Sequence, residues 1–333
     1  MYPKKRTRLG LEALYFTGAH KLMQPLVGGV GAILTLHHVW PARSDEFQPN
    51  RSLEITPDFL KKILQRLRQS GFDFVSLDEM HRRLIECDFR RRFVAVTFDD
   101  GYRDNKTWAY PILREHNIPF VIYVTTGFAD RSGELWWKAL EHIIAVNDTI
   151  TLDMEGIPSH LRCGALREKY AVYEHIYRWL RGRPSECEMR VAVHDLVTRY
   201  SVDLVEICEA LCMSWAEIRE LAEDPLVTIG VHTVNHPVLA RASDSVVHSE
   251  FARARTIVEA ALGRAVRHLA YPYGDASSTG PREFAIAKDL GFVTAVTTRS
   301  GMLFAPHRMH LTALPRISLS WTLALTPRSR APQ

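Results

Sequence analysis

Several common features are missing from this chain. It has no Cys-x-x-Cys pair. Its five cysteines, Cys87, Cys163, Cys187, Cys208 and Cys212, are scattered and odd in number. They form neither a disulfide framework nor a zinc knuckle, which points to a reducing compartment. Cys208 and Cys212 are four apart and suit a buried apolar pair on one helix face. Charge of one sign is not in excess: the net is +4 over 333 residues, with no basic–aromatic array, so nothing argues for nucleic acid. No apolar run is long enough to span a bilayer; residues 26–36 come nearest and are too few. The start is basic (Lys4, Lys5, Arg6, Arg8), but Glu12, His20 and Lys21 interrupt the next stretch, so no clean signal peptide is read. A cytoplasmic location is therefore expected, with residues 11–27 as the stretch suited to peripheral membrane contact. Internal repeats and low-complexity segments are absent as well.

The chain does have an ordinary globular composition, 46% hydrophobic and 24% charged, at a length for one large α/β domain or a domain with an insertion. Residues 93–98 (FVAVTF) read as a buried strand, and Asp99, Asp100 and Gly101 come directly after it. Carboxylates at the end of a buried strand are costly unless paired. A metal ion would pair with one and leave the other as a base. An Asp-Asp-Gly turn with no function explains the same residues.

Strands and helices alternate around this stretch. Residues 31–39 (GAILTLHHV) read as a strand ending in His37 and His38. A helix is predicted from Thr56, with Thr56 as N-cap and Pro57 in its first turn. A strand over 72–77 and a helix over 78–86 come next. After FVAVTF come a helix capped by Asn105 and a strand over 119–125. This alternation predicts a parallel sheet with crossover helices. It stops between about 130 and 224, where the patterning is helical and Ser214–Glu217 carries an S-x-x-E capping box. That stretch reads as a helical insertion: a lid, one wall of the substrate cleft, or a packing elaboration. Alternation resumes with strands at 226–231, 266–270, 293–297 and 313–319.

The polar residues sit just after strand ends: His37 and His38, Asp99 and Asp100, His232, and the loop 271–274 (YPYG). In a β/α barrel that face carries the chemistry. His232 and His236, four apart, would lie on one side of a helical turn, as a metal needs. With a carboxylate from another strand end, two histidines and one aspartate make a three-ligand site with a position open for water.

TFDDG (Thr97–Gly101) together with HTVNH (His232–His236) resembles the polysaccharide deacetylase family, the NodB-homology carbohydrate esterases, whose motifs are TFDDG and H-[ST]-x-x-H. The resemblance covers roughly residues 33–319, with the insertion outside the shared pattern. It implies an α/β fold, a deformed (β/α) barrel of the NodB type over 31–325, with the helical insertion at about 130–224. Residues 1–30 would be an extension and 326–333 a disordered tail. It further implies metal-dependent deacetylation of N-acetylated sugars, with Asp99 as general base and Asp100, His232 and His236 holding a divalent metal, usually Zn2+. The commonest third motif, R-P-P-Y-G, is here Ala270-Tyr271-Pro272-Tyr273-Gly274, without the arginine. The late segment reads Leu314-Pro315-Arg316-Ile317, without a histidine. Both changes are similar to the poly-N-acetylglucosamine deacetylase branch, whose acid comes from an early L-x-Y-H segment. The matching residues are Leu34-Thr35-Leu36-His37, which makes His37 the candidate acid. His307 and His310 are alternatives. Arg316 would supply the positive charge beside Asp99, and a backbone N–H near Tyr273 would meet the oxyanion. The partner expected is an N-acetylated saccharide. A catalytically inactive carbohydrate-binding protein, and an amide hydrolase of lipid- or nucleotide-linked amino sugars, are the rival readings.

Overall fold

The computed structural model describes residues 28–154 and 156–320. The stretch 11–27, nearly all of the expected extension and the tail 326–333 lie outside the described residues. Among those described, no helix is long and apolar enough to cross a membrane.

The strands, in chain order, are β1 (Gly31–Leu36), β2 (His38–Val39), β3 (Glu54–Ile55), β4 (Asp73–Phe74), β5 (Phe93–Phe98), β6 (Phe120–Val124), β7 (Thr149–Met154), β8 (Ile157–Arg162), β9 (Val227–Val231), β10 (His268–Ala270), β11 (Thr294–Ser300) and β12 (Leu314–Ser318). Seven of them pair in parallel in the order β1-β12-β11-β10-β9-β6-β5. β5 then returns to β1, in register from Gly31 against Phe93 to Leu36 against Phe98, and the barrel closes. β4 adds to the start of β5. The strands are parallel, as the alternation predicts, and they close into the deformed (β/α) barrel that the resemblance implies.

Continuous apolar runs are what a strand covered on both faces requires. Every residue of β5 and β6 is buried. Alternation sorts them into two layers. Val94, Val96 and Phe98 pack outward with Leu60, Leu64, Phe251 and Val258 of the surrounding helices. Phe93 and Ala95 face inward with Ile33, Val121 and Leu314. The same period carries three inward series up the barrel: Ile33-Thr35-His37, Ala95-Thr97-Asp99 and Leu314-Arg316-Ser318. The polar end of each series reaches one mouth.

Two of the predicted helix starts hold. Thr56 accepts from the Phe59 N–H ahead of Pro57–Gln69. Ser214 and Glu217 form a reciprocal capping box at Trp215–Ala222. Other details differ from expectation. The strand over 31–39 breaks at His37, because β2 leaves the barrel to pair with β3. Asn105 does not cap its helix. Its Nδ2 instead donates to the His37 carbonyl at 2.8 Å, and the helix opens with a wide π-turn over Asn105–Ala109.

Between β6 and β9 stand the helices Trp136–Val146, Leu166–Gly182, Glu186–Arg199, Leu204–Leu211 and Trp215–Ala222. An antiparallel hairpin, β7–β8, interrupts them and is not legible as helix or strand run. Only Ile150 and Leu152 of its first strand are buried, so its apolar signal is two residues long. This segment has its own apolar cluster, including Trp136, Leu140, Ile143, Ile150, Val172 and Ile176.

Candidate active site

Non-glycine residues in the left-handed region shape the barrel mouth, three of them on the loops after β5 and β9. Asp100 has φ 72°, Thr233 φ 68° and His236 φ 56°. A non-glycine residue there costs on the order of 1 kcal/mol or more, and such strain collects where side-chain direction matters. His232 and His236 therefore do not lie on a helical turn, as their spacing predicts. They sit in a tight loop after β9 that bends His236 back toward His232, ring centroids 5.0 Å apart.

The bend brings three donors together. Asp100 Oδ1 is 3.4 Å from His232 Nε2 and 3.4 Å from His236 Nε2. His232 Nδ1 donates to the Ala270 carbonyl at 2.8 Å, which leaves Nε2 with its lone pair toward Asp100. Asp100 Oδ1 is buried and has no hydrogen-bond partner. Donors held about 2.1 Å from one tetrahedral ion stand about 3.4 Å apart, so this set fits a divalent metal such as zinc. Burial, and then the charge of Asp99, push the Asp100 carboxyl up to about 8. A cation among the three donors would reverse that.

Asp99 has the opposite environment. Arg316, fully buried on β12, grips it with both terminal nitrogens, Nη1 to Oδ1 at 2.7 Å and Nη2 to Oδ2 at 2.6 Å. Arg316 is itself fixed by the Thr297 carbonyl at 2.8 Å and Thr97 Oγ1 at 3.2 Å. Burial alone would raise the Asp99 carboxyl; the Arg316 and His232 charges outweigh it and hold Asp99 well below the usual carboxylate range. Asp99 is thus ionised across the physiological range.

His37 Nε2 stands 3.9 Å from Asp99 Oδ2, with 17% of its side chain open to the cleft. Burial lowers its pKa to about 4, against the opposing pull of Asp99, so the resting imidazole is neutral. Tyr273 has φ 59°, and its ring lies 4.8 Å from that of His236. Gly274 beside it, at φ 64°, passes so close to β11 that a Cβ would meet Thr298 N at 2.6 Å. All seven predicted residues, Asp99, Asp100, His37, His232, His236, Tyr273 and Arg316, line one cleft of about 400 Å³. His307 and His310 do not; His307 lies within a short helical turn at Ala305–Met309 and His310 follows it.

The cleft has a second wall, supplied by the stretch that the sequence offers as one wall of a cleft, but through residues that sequence reasoning did not single out for it. Trp137, Tyr177 and Arg181 come from the segment between β6 and β9. Trp137 packs on His236, with ring centroids 5.2 Å apart. Trp136 Nε1 donates to the Tyr273 hydroxyl at 3.2 Å. On helices whose apolar stripes already account for aromatic residues, nothing in the spacing separates wall from core. The adjacent pair Trp136-Trp137 was the one available signal, since two neighbours on a helix cannot face the same way.

A model of the polysaccharide deacetylase family matches residues 87–162 and 165–295, well over half of the chain. The chain belongs to the polysaccharide deacetylase family. Membership makes it a hydrolase of carbon–nitrogen bonds other than peptide bonds. The matched residues include Asp99, Asp100, His232, His236 and Tyr273, whereas His37 and Arg316 lie outside them. Solved structures share the fold. The deacetylase PplD of Streptococcus pyogenes, in complex with acetate, superposes with a TM-score of 0.58 at 21% identity, covering 87% of this chain and 92% of that one. IcaB from Ammonifex degensii gives 0.56 at 20% identity, with 88% and 93% covered. The BpsB deacetylase domain from Bordetella bronchiseptica gives 0.51 at 17%, with 86% and 95% covered. A search of the curated proteins finds no match.

Proposed function

We propose that this family member removes N-acetyl groups from amino sugars of an oligo- or polysaccharide, or of a glycoconjugate precursor, with a divalent metal held by Asp100, His232 and His236. The observation that carries the reading is the meeting of those three buried donors beside a carboxylate that Arg316 keeps charged. Two imidazoles and one carboxylate suit Zn2+ and leave room for a water. Such an ion, when bound, lowers the pKa of a water and polarises a carbonyl oxygen.

The chain's own groups have distinct tasks. Asp99, ionised and aimed into the cleft, takes the proton of the attacking water. The backbone at Tyr273 presents an N–H to the carbonyl oxygen as charge develops on it. An amine leaves only when protonated, so a donor is needed across from the base. His37, with its open edge on the cleft and 3.9 Å from Asp99, delivers that proton to the nitrogen. Because its resting state is neutral, the proton it delivers is acquired within the reaction and handed on from Asp99. Arg316 keeps Asp99 oriented and charged and is a positioning residue.

Acetate release from an N-acetylglucosamine oligomer tests the reading, alongside metal analysis of the purified protein. Turnover that a chelator abolishes and zinc restores is expected. Saccharide binding without acetate release at any metal loading would mean an inactive carbohydrate-binding protein. Release only from lipid- or nucleotide-linked amino sugars would move the substrate class and leave the chemistry in place.

A further inference from the structure

Arg181 is a charged group in the cleft to which the hydrolytic roles assign nothing. It lies in the last turn of the helix Leu166–Gly182, and its guanidinium carbon sits over the Tyr273 ring, 3.8 Å from the centroid. Tyr273 in turn packs on His236. Arg181 is thus one aromatic ring removed from a proposed metal ligand.

Its partners are few. Nη2 donates to Ser278 Oγ at 3.1 Å and to Asp275 Oδ2 at 3.4 Å. Nη1 is buried without a hydrogen-bond partner. A buried charged group with an unmade hydrogen bond is under-neutralised by the protein around it. Asp275 is a weak counter-charge. Its side chain is about half exposed, and its other oxygen, Oδ1, already accepts from the Ser277 N–H, Ser277 Oγ and Ser278 Oγ. The other charges in the cleft are spoken for. Asp99 and Arg316 neutralise each other, and Asp100 faces the two histidines. A divalent cation at Asp100 would add to the positive excess. Tyr177, one turn back on the same helix, presents an aromatic face beside it in the cleft.

We propose that Arg181 is a specificity-determining residue, whose guanidinium takes an anionic oxygen, carboxylate or phosphate, carried by the saccharide within about one sugar unit of the scissile acetamide. The helix that carries it belongs to the segment between β6 and β9, so that segment selects the substrate while the barrel cleaves it. This rests on the deacetylase reading for its substrate, although anion binding itself does not need turnover.

The experiment has two arms. In the first, acetate release by the zinc-loaded full chain is measured on three N-acetylglucosamine oligomers: neutral, phosphorylated at the 6-hydroxyls, and oxidised to 6-carboxylates. The wild type should prefer at least one anionic oligomer by about tenfold or more in kcat/KM, the worth of one charge-assisted hydrogen bond. R181Q should bring that ratio to near one, mostly through KM, and R181K should keep part of it. A wild type with no preference, or R181Q with the preference intact, overturns the proposal. In the second arm, calorimetry compares N-acetylglucosamine 6-phosphate with N-acetylglucosamine on the metal-free full chain. Tighter binding of the phosphate, lost in R181Q, is expected. Equal binding of the two sugars to wild type overturns the proposal even if no oligomer is deacetylated. Absence of acetate from all oligomers with the phosphate preference intact would count against the deacetylase reading and not against this one. If R181Q does not fold, the wild-type comparisons still decide.

Discussion

The barrel mouth and the wall opposite it reach the same cleft by different physics. At the mouth, reactive groups sit on inward series of parallel strands and on loops bent through left-handed residues, each with one orientation. Asp99 and Asp100 are adjacent in sequence and opposite in electrostatics, one pinned as an anion by Arg316 and the other pushed up to about 8 by burial. The wall has no such extremes. It offers Trp137, Tyr177 and Arg181 from helices with an apolar cluster of their own. Under the proposals above, the difference would assign rate to the barrel and selection to the wall. That division breaks if wall variants behave like mouth variants.

The largest effect should come from the two aspartates. Asp99→Asn should lower kcat by about a thousandfold or more, within the range for removing a general base, and keep the metal. Asp100→Ala should lose metal and turnover together. Metal content by elemental analysis beside single-substrate kinetics separates the two; an active Asp99→Asn would remove the base from the mechanism.

Arg316→Met tests the same mouth through its buried support. It leaves Asp99 buried without a counter-charge, at about 3–5 kcal/mol by analogy with other broken buried pairs. The sign with pH is fixed. With Arg316 present the folded Asp99 pKa lies below its unfolded value, so its stabilising contribution is present above the unfolded pKa and is lost as pH falls. Removing Arg316 raises the folded pKa. The acid-side loss of kcat/KM should therefore move to higher pH, and urea melts should show the stability loss at neutral pH. An unmoved acid limb would mean that Asp99 is not the titrating base.

Tyr177→Ala probes the wall. It removes an aromatic face from the cleft and a ring packed on Trp136 at 5.1 Å. Aromatic contacts of this kind are worth about 0.5–1.5 kcal/mol, so KM should rise about threefold to tenfold with zinc stoichiometry unchanged. A fall in kcat with unchanged KM would put the wall into the chemistry and erase the distinction.

Legibility from sequence divides along the same line. The barrel mouth was readable because polar residues at the ends of apolar β-branched runs stand out, and because TFDDG and HTVNH are specific together. Arg316 was readable only through the resemblance, as a charge to replace the missing arginine of the third motif, since only the closed barrel brings β12 next to β1 and hence near Asp99. The bend between His232 and His236 was not readable, because two positive φ values at Thr233 and His236 are set by the loop's fit and not by residue type. The hairpin β7–β8 was hidden by its two-residue apolar signal. That the insertion walls the cleft was one of two readings of its helical pattern, but its cleft-facing residues were hidden, because a helix uses aromatic residues for packing far more often than for a ligand, and Arg181 reads from sequence as a solvated helix end.

The smallest effect tests whether the segment between β6 and β9 is held to the barrel rigidly enough to act as a wall. Glu217 closes the Ser214 capping box and ion-pairs with Arg103, just past β5, at 2.8 Å. Burial raises its carboxyl, but Arg103 and the Ser214 N–H outweigh that and hold it at about 2. The folded pKa is thus below the unfolded one. The stabilisation is present above about pH 4.5 and disappears as pH falls toward 2. The side chain is about a quarter exposed, so solvent screening leaves about 1 kcal/mol of it. Glu217→Gln should cost about that much at pH 7 and flatten the stability curve between pH 4.5 and 2, with kcat unchanged. A variant that loses kcat as well would mean that the clamp transmits to Asp100 through the Gly101 carbonyl, which accepts from Met213 N–H at 3.1 Å, and that wall and mouth are one unit.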